Sequence, residues 1–336
     1  MILVTGGTGL VGAHLLLHLV ENNEPIRAIY RNGKSIQKTK SLFSQYKKES
    51  FFEKIEWVEA DIIDIPSLEL VFENVEQVYH CAALISFDPK DEDLLRKINI
   101  EGTANIVNFC ITKTVKKLCY VSSIAALGDL KENENQISEE TEWNPEFYHS
   151  DYAISKYGAE MEIWRGQQEG LKTLIVNPGV IIGSNSMHHW NQGSGKLFEK
   201  VSNGFPFYSK GTTGFITVED VVLIMAKLMK SDLSNQRFIL VAQNIVFREV
   251  LNAIADVLQV KRPYIHANKL LVNISYRIDW LVSTIFGQKR KLDRTTAEAS
   301  YSKNTYSNEK IIRFINPEFT DVISYIKREY TENSNV

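Results

Sequence analysis

Short apolar runs alternate with longer amphipathic stretches along the first half of the chain. The runs are rich in β-branched residues and read MILVT, IRAIY, IEWVEA, QVYHCAA, KLCYVSS and TLIVNPGVII, while residues 11–20 and 99–112 have a helical period. Continuous apolar runs are typical of strands buried on both faces. Strands that alternate with helices imply right-handed crossovers into a parallel sheet. The pattern therefore predicts an α/β fold with a doubly wound, Rossmann-type parallel sheet.

The alternation loosens in the C-terminal half. Two stretches rich in Gly, Ser and Asn, GSNSMHHWNQGSG and SNGFPFYSKGTTGF, are typical of loops around one short helix. TVEDVVLIMAKLM and REVLNAIADVL are again helical, with the strand-like RFILVA between them. We therefore predict a larger layered domain formed by residues 1–180 together with 215–242. A smaller, mainly helical C-terminal region would be formed by residues 181–214 and 243–330.

Composition narrows the range of partners and compartments. The 336 residues include 38 basic and 41 acidic side chains, a net charge of −3, and no basic block, so nucleic acid is not expected. Cys81, Cys110 and Cys119 lie far apart in apolar surroundings, which predicts reduced thiols and no metal site. We interpret HHW at 188–190 as a pocket rim or a plain loop and not as a metal site. The first apolar run is too short for a signal peptide, so a cytoplasmic protein is expected.

One late stretch, residues 268–291, is amphipathic. It reads NKLLVNISYRIDWLVSTIFGQKRK and is apolar for several helical turns before three cations. Such a stretch could touch a membrane surface. We interpret it instead as a helix pair that covers a pocket, and we expect no membrane partner.

Four glycines follow the first apolar run almost at once, in TGGTGLVG. A strand that turns directly into a helix leaves the first helical N–H groups unpaired, and with the helix dipole they make a site for a pyrophosphate. Gly6 would allow the tight turn, Gly9 the approach of the phosphates, and Gly12 close packing of the helix on the sheet. These three glycines form one dinucleotide-binding pattern, and Gly7, Gly9 and Gly12 form a related one, G-x-G-x-x-G. The spacing of the glycines alone does not show which of the two patterns applies. The predicted dinucleotide contacts here are Gly6, Thr8, Gly9, Leu10, Val11 and Gly12.

The end of the second strand, RAIYRNGKS, indicates which dinucleotide is bound. NAD is usually held by an Asp or Glu at this place, whereas the 2′-phosphate of NADP calls for Arg. Here Arg31 follows Tyr30, and Lys34 is close behind. Two cations and no carboxylate favour NADP (NADPH) as the cofactor, with NAD less favoured. The larger domain is accordingly predicted to be the NADP-binding domain and the smaller region to bind substrate.

Two further segments carry candidate chemistry. YVSSIAALG places Ser123 at the carboxyl end of a strand, where open α/β sheets bind their ligands. SDYAISKYGAEMEIW places Tyr152 and Lys156 four residues apart, on one face of a helix. The spacing Tyr-x-x-x-Lys is weak evidence alone, because it recurs at residues 30/34 and 306/310.

Taken together, these segments resemble the extended short-chain dehydrogenase/reductase family, also called the NAD(P)-dependent epimerase/dehydratase family. The matching pieces are TGGTGLVG, EADIID, HCAALISF, NIEGTANI, YVSSIAALG, YAISK, NPGVIIG and TVEDVV, in the family's order. The resemblance implies a catalytic triad of Ser123, Tyr152 and Lys156, and it also implies a homodimer. It places further cofactor contacts at Asp61, Ile62, Ala82, Ala83, Leu84, Lys156, Pro178, Gly179 and Val180. Asn99 matches a family asparagine on the central helix, although it could equally be a local feature of that helix.

The triad suggests carbonyl reduction. A hydride that reaches a carbonyl carbon leaves negative charge on the oxygen, which needs a proton from Tyr152 and a hydrogen bond from Ser123. Lowering the pKa of a tyrosine from ~10 to about 7 takes roughly 4 kcal/mol. A lysine about 4 Å away at an effective dielectric near 20 supplies roughly that amount. The sequence therefore predicts that Lys156 lowers the pKa of Tyr152.

Other reactions of the family fit the sequence less well. Nucleotide-sugar dehydratases usually carry an Asp-Glu pair where this chain has Ile124 and Ala125. UDP-sugar epimerases usually carry an Arg where Thr213 and Gly214 stand. HCAALISFDP and the Arg that ends strand two resemble the dihydroflavonol 4-reductase-like branch. We expect an NADPH-dependent reductase of a ketone or aldehyde on a mostly apolar small molecule. A nucleotide-sugar epimerase and a non-enzymatic NADP-binding regulator remain alternatives.

Aromatic residues of the smaller region suit an apolar substrate. They are Trp190, Phe198, Phe205, Phe207, Tyr208 and Phe215, although at least half of them would also suit a core. The predicted substrate contacts are Phe87, Ser123, Tyr152, Trp190 and Phe215.

Overall fold

The computed structural model describes residues 1–131, 134–183, 193–272, 277 and 301–332. Its strands are β1 (Ile2–Thr5), β2 (Ile26–Tyr30), β3 (Glu56–Glu59), β4 (Gln77–His80), β5 (Lys117–Val121), β6 (Thr173–Pro178), β7 (Val180–Ile182), β8 (Phe207–Tyr208), β9 (Thr212–Thr217), β10 (Gln236–Leu240), β11 (Gln243–Val246) and β12 (Ile265–His266).

Helices lie between these strands. They are α1 (Leu10–Glu21), α2 (Gly33–Gln45), α3 (Glu49–Phe52), α4 (Ile65–Val71), α5 (Glu92–Leu95), α6 (Gly102–Thr112), α7 (Asp151–Gln168), α8 (Gly195–Ser202), α9 (Val218–Lys230), α10 (Phe247–Val257), α11 (Glu309–Ile315) and α12 (Val322–Glu332). A π-helical turn, Arg96–Glu101, leads into α6. None of the helices in the described segments combines the length and the apolar character needed to span a bilayer.

Seven parallel strands form the main sheet, in the order β3-β2-β1-β4-β5-β6-β10. The chain moves outward from β1 in one direction and from β4 in the other, so the strand order reverses between these two strands. Ligands of open α/β sheets bind at such a switch point, outside the carboxyl ends of the strands. The predicted doubly wound Rossmann-type sheet is confirmed.

The main sheet is buried on both faces. One face packs against α1 and α9 through residues such as Leu16, Val221 and Met225. The other face packs against α4, α6 and α7 through residues such as Ile106 and Ile163. Cys110 and Cys119 are buried within these two clusters, whereas Cys81 is only partly buried.

A three-stranded sheet, β7-β9-β11, forms the base of the smaller region. The run TLIVNPGVII splits into β6 and β7 at Gly179, because the chain there crosses directly over another backbone segment. A Cβ on Gly179 would lie 2.4 Å from the carbonyl oxygen of Gly214. The region's core includes Phe198 and Phe215 and is covered by helices α8, α10 and α12. Strand β9 belongs to this small sheet, and it leads directly into α9, which packs on the main sheet. Residues 212–230 therefore contribute to both the smaller region and the main layered domain.

A carboxylate at the start of α9 is bound to helix α12. The Tyr325 hydroxyl donates to Glu219 Oε1 at 2.8 Å. The other oxygen, Oε2, is buried and has no partner among the described residues. Burial raises the pKa of Glu219 to about 7, and the charges of Glu329 and Asp220 raise it further.

Replacement of Glu219 by Gln is expected to remove one source of pH-dependent instability. A carboxyl group whose pKa is raised by folding stabilises the fold below its unfolded pKa, and this contribution is lost as the pH rises through the folded pKa. The parent should therefore lose stability relative to Glu219→Gln between pH 4.5 and pH 7, by roughly 2 kcal/mol after allowance for solvent screening. Chemical denaturation across this pH range measures the difference. Glu73→Gln, at an exposed position, should follow the parent, and parallel curves for Glu219→Gln and parent would contradict the assignment.

Candidate active site

The glycine turn after β1 brings backbone atoms into direct contact. Gly6 has a positive φ of 71°, and Gly9 N donates to Gly6 O at 2.9 Å. A Cβ on Gly12 would lie 2.2 Å from the same carbonyl oxygen. The tight turn is therefore at Gly6, which selects the fingerprint Gly6-x-x-Gly9-x-x-Gly12 over the one that starts at Gly7. Gly12 is needed for close approach to the turn itself, whereas the sequence predicted close approach to the sheet.

The start of α1 fits an anionic group. Its N-cap residue, Gly9, supplies no side-chain cap, and the first turn holds no acidic residue. A Cβ on Gly9 would meet only Gly6 O, at 3.4 Å, among neighbouring atoms, so the other sides of this position are open. Unpaired helical N–H groups beside an open surface are the features that hold a pyrophosphate. Thr8, Leu10 and Val11 lie at this same helix start, partly exposed.

The loop after β4 lies directly against the glycine turn. A Cβ on Gly6 would be 2.6 Å from Ala82 N, and Ala82 N donates to Thr5 Oγ1 at 3.3 Å. Ala83 and Leu84 continue the loop along the carboxyl edge of the sheet. Predicted cofactor residues of β1 and β4 are therefore brought together.

Asn99 lies in the π-helical turn and is 1% exposed. Its Oδ1 accepts from Leu84 N at 2.7 Å, and its Nδ2 donates to Leu84 O at 3.0 Å and to Ser155 Oγ at 2.9 Å. The amide thus joins the loop after β4 to helix α7. A direct contact of Asn99 with a cofactor stays a prediction, and the hydrogen bonds show that it positions the loop.

The residues predicted at the adenosine end follow β2 and β3. Arg31 is exposed, and the next residue, Asn32, caps α2 by accepting from Ser35 N at 3.0 Å. Asp61 Oδ1 accepts from Ile63 N at 3.2 Å. Ile62 is buried against Gly102 of α6. All of them lie at the carboxyl edge of the sheet, on the side of the glycine turn away from α7.

The three predicted catalytic residues come together at the ends of β5 and α7. Ser123 follows β5, and its Oγ accepts from Ala125 N at 3.1 Å. Tyr152 lies in the first turn of α7, where its phenol is close enough to the Ser123 side chain for the serine to oppose the rise of its pKa. Lys156, one helical turn later, donates from Nζ to Val121 O at 2.8 Å, and its Nζ lies 4.4 Å from the centroid of the Tyr120 ring.

Burial acts in opposite directions on the phenol and the ammonium of this triad. It raises the pKa of Tyr152 to about 12, although the hydrogen bond with Ser123 partly opposes the rise. It lowers the pKa of Lys156 to about 7, opposed by the negative charge of Glu160. The prediction that the pKa of Tyr152 is lowered to about 7 is therefore wrong for this arrangement, because burial of the phenol is the largest effect on that pKa.

The predicted substrate residues differ in their exposure to solvent. Phe87 is 47% exposed, and its ring centroid lies 5.6 Å from that of Tyr152. Phe215 is fully buried, in edge-to-face contact with Phe247 at 5.8 Å. The prediction that Phe215 touches substrate is corrected, because its ring fills the core of the smaller region. Trp190 and the HHW motif lie outside the described residues.

Sequence analysis missed a buried polar group behind the triad. Asn177 Nδ2 donates to Ser123 O at 2.8 Å and to Glu160 Oε1 at 2.6 Å. Glu160 is fully buried and pairs with Arg237, whose Nη1 is 3.2 Å from Oε2. One signal was available, since Glu160 follows Lys156 by four residues and must share its helix face.

Comparisons with known proteins agree with this architecture. The family model for the NAD dependent epimerase/dehydratase family matches residues 2–241. The dihydroflavonol 4-reductase of Callistephus chinensis is 30% identical over 190 residues, which are 54% of this chain and 51% of that protein. The anthocyanidin reductase of Arabidopsis thaliana is 24% identical over 319 residues, which are 85% of this chain and 92% of that protein.

A solved structure shows the same fold at lower sequence identity. The crystal structure of UDP-glucose 4-epimerase from Thermotoga maritima, with UDP-glucose, has a TM-score of 0.77 and 18% identity, covering 99% of this chain and 99% of that chain. Seven parallel strands, the glycine turn and the match over residues 2–241 lead to one family. The chain belongs to the NAD dependent epimerase/dehydratase family and is an NAD(P)-dependent oxidoreductase of the short-chain dehydrogenase/reductase type.

Proposed function

We propose that this chain is an NADPH-dependent reductase of a ketone or aldehyde on a mostly apolar small molecule. The observation that carries the proposal is the meeting of Ser123, Tyr152 and Lys156 at the ends of β5 and α7, with the Ser123 and Tyr152 hydroxyls close to each other beside the exposed ring of Phe87. A bound nicotinamide dinucleotide would be held by the start of α1 and the loop after β4, and it supplies the hydride.

Tyr152 is suited to giving a proton to the substrate oxygen. With a pKa of about 12 it is a neutral phenol at ordinary pH. An alkoxide oxygen is a stronger base than a phenolate, so the proton moves to it as negative charge develops. Ser123 Oγ accepts from Ala125 N, so the proton of its hydroxyl can be donated, to the Tyr152 oxygen without substrate and to the substrate oxygen during reduction. A neutral phenol is the protonation state in which Tyr152 can act as the acid in carbonyl reduction.

Lys156, one helical turn after Tyr152, would stabilise the negative charge that develops on the substrate oxygen and on the Tyr152 phenol. Lys156 is 1% exposed, and a positive charge in a dehydrated site acts more strongly than one in water. Because burial lowers its pKa to about 7, this stabilisation weakens as the pH rises above neutrality.

The substrate is proposed to be apolar because of what surrounds the hydroxyl pair. Phe87 covers one side of the Tyr152 ring. Ile85, two residues earlier on the same loop, is also exposed. In the described part of the chain no Arg stands between Arg165 and Arg237, and a diphosphate without guanidinium partners would be held weakly.

The cofactor is proposed to be NADP because of the end of β2. Arg31 and Lys34 are exposed beside the start of α2. Arg31 forms no ion pair with any carboxylate in the described segments, so its guanidinium is available to a 2′-phosphate.

Replacement of Tyr152 by Phe should abolish most turnover and leave cofactor binding intact. Loss of a positioned proton donor lowers the rate by about 10² to 10⁴-fold, and the ring's packing against Phe87 is kept. NADPH oxidation with a panel of hydrophobic ketones and aldehydes measures turnover, and NADPH fluorescence titration measures binding.

The chain contains a matched control for this substitution. Tyr306→Phe alters a buried tyrosine of another Tyr-x-x-x-Lys sequence, whose hydroxyl interacts with Asn304 and Thr213 and not with Ser123, and should keep parental turnover. A Tyr152→Phe enzyme as fast as the parent would overturn the proposal. Thermal stabilisation by UDP-sugars, combined with no turnover of any carbonyl compound, would point to an epimerase instead.

Reversal of the charge at Arg31 should change cofactor preference. Arg31→Glu removes the partner of the 2′-phosphate and adds a carboxylate suited to the ribose hydroxyl of NAD. The Kd for NADPH should rise by about ten- to a hundred-fold, the effect of losing a charged hydrogen bond, and the Kd for NADH should fall. Lys172→Glu makes the same kind of charge reversal at an exposed position just before β6, at the amino ends of the strands, and it should alter neither Kd. An unchanged ratio of the two constants in Arg31→Glu would count against NADP.

A further inference from the structure

A buried ion pair lies behind the catalytic residues. Glu160 of α7 is fully buried, and Arg237 of β10 is 15% exposed. The two residues are separated by 77 positions in the chain. An isolated carboxylate in such a place would take up a proton, and Arg237 provides the opposing charge. Burial raises the pKa of Glu160, while Arg237 and Asn177 oppose the rise.

The ion pair is connected to the catalytic serine through one amide group. Asn177 Nδ2 donates both to Glu160 Oε1 and to Ser123 O. Asn177 is fully buried on β6, the strand beside the one that Ser123 follows. The direction of the chain at Ser123, and with it the aim of the serine hydroxyl, therefore depends on Glu160 as an acceptor.

Glu160 also lies one helical turn after Lys156. Side chains at this spacing on a helix are neighbours, and the carboxylate favours the charged form of Lys156. The other titratable groups that act on or contact this ammonium in the described segments are Cys81 and His80 at the end of β4 and Tyr120 on β5. Burial keeps His80 and Tyr120 uncharged at neutral pH, and it raises the pKa of the Cys81 thiol. Glu160 is thus the one carboxylate found to favour the Lys156 cation among the described residues.

We propose that Glu160, held by Arg237 and Asn177, is a positioning residue for the reduction, one that keeps Lys156 protonated and orients Ser123. The inference rests on the proposed function of Tyr152 and Lys156. Glu160 touches neither reacting atoms nor cofactor in this role, and it acts through the two residues that do.

Replacement of Glu160 by Gln tests the inference. The new amide oxygen would still accept from Asn177 but would carry no charge, so Lys156 should lose its proton at lower pH. The alkaline limb of kcat/KM should move down by about one to two pH units, the effect of a unit charge about 6 Å away at an effective dielectric near 20. Glu160→Asp keeps the charge and should restore the parental profile. Glu162→Gln, the same change at a partly exposed position of α7, should leave it unmoved.

A second measurement separates this inference from the proposed function. Heteronuclear NMR of the lysine side chains, assigned with Lys156→Met, gives the Lys156 pKa without any turnover. A parent protein that reduces no carbonyl compound refutes the proposed function, whatever the NMR titration shows. A parent that does reduce one, with equal Lys156 pKa values in the parent and Glu160→Gln, overturns the role of Glu160.

The double variant Glu160→Gln/Arg237→Met covers the case in which the single variant fails to fold. It removes both charges and leaves no unpaired buried cation. The Lys156 pKa should again fall, and an unchanged pKa in this variant would equally overturn the inference. A loss of stability alone would lower the amount of active enzyme without moving the pH profile.

Discussion

The removal of one ammonium group from water shapes the whole catalytic site. A buried, unpaired cation is strongly disfavoured, and Lys156 is 1% exposed. Three different groups compensate for the lost water: the carbonyl of Val121, the ring face of Tyr120 and, one turn along the helix, the carboxylate of Glu160. Two of these groups belong to β5 and one to α7. Helix α7 therefore cannot slide along the sheet without exposing or unpairing the cation, and this constraint also holds Tyr152 near Ser123.

Two places of backbone contact bring the rest of the site to the same edge of the sheet. At Gly6 the turn after β1 touches the loop after β4, and at Gly179 the end of β6 touches β9. No side chain fits at either point, so glycine is a geometric requirement at both. The first contact shapes the cradle at the start of α1, and the second turns the chain from the main sheet into the smaller region. These two backbone contacts, at Gly6 and at Gly179, therefore bring the candidate cofactor site and the smaller region toward the predicted triad.

Local features of the sequence predicted local features of the structure. The glycine turn, the strand ends and the pair Tyr152 and Lys156 were all predicted correctly in place, because each depends on neighbours a few residues away. Phe215 was predicted wrongly, since an apolar ring in a sequence looks the same whether it faces a pocket or fills a core. The pair of Glu160 and Arg237 could not be predicted, because only the order of β5, β6 and β10 in the sheet brings these residues together. The prediction for the Tyr152 pKa failed for a related reason, because burial of the phenol depends on how the whole fold packs.

Burial shifts the pKa values of Tyr152 and Lys156 in opposite directions. Desolvation disfavours the charged form of any group, so it makes a phenol hold its proton more tightly and an ammonium hold its proton less tightly. Tyr152 and Lys156 are shifted in these opposite directions, to about 12 and about 7. The proposed proton donor, Tyr152, is therefore protonated near neutral pH, and Lys156 is the residue of the pair that loses its proton as the pH rises above 7. Charges that favour the lysine cation therefore act on the group whose protonation changes near neutral pH, which is why Glu160, one turn further along α7, bears on the proposed reduction.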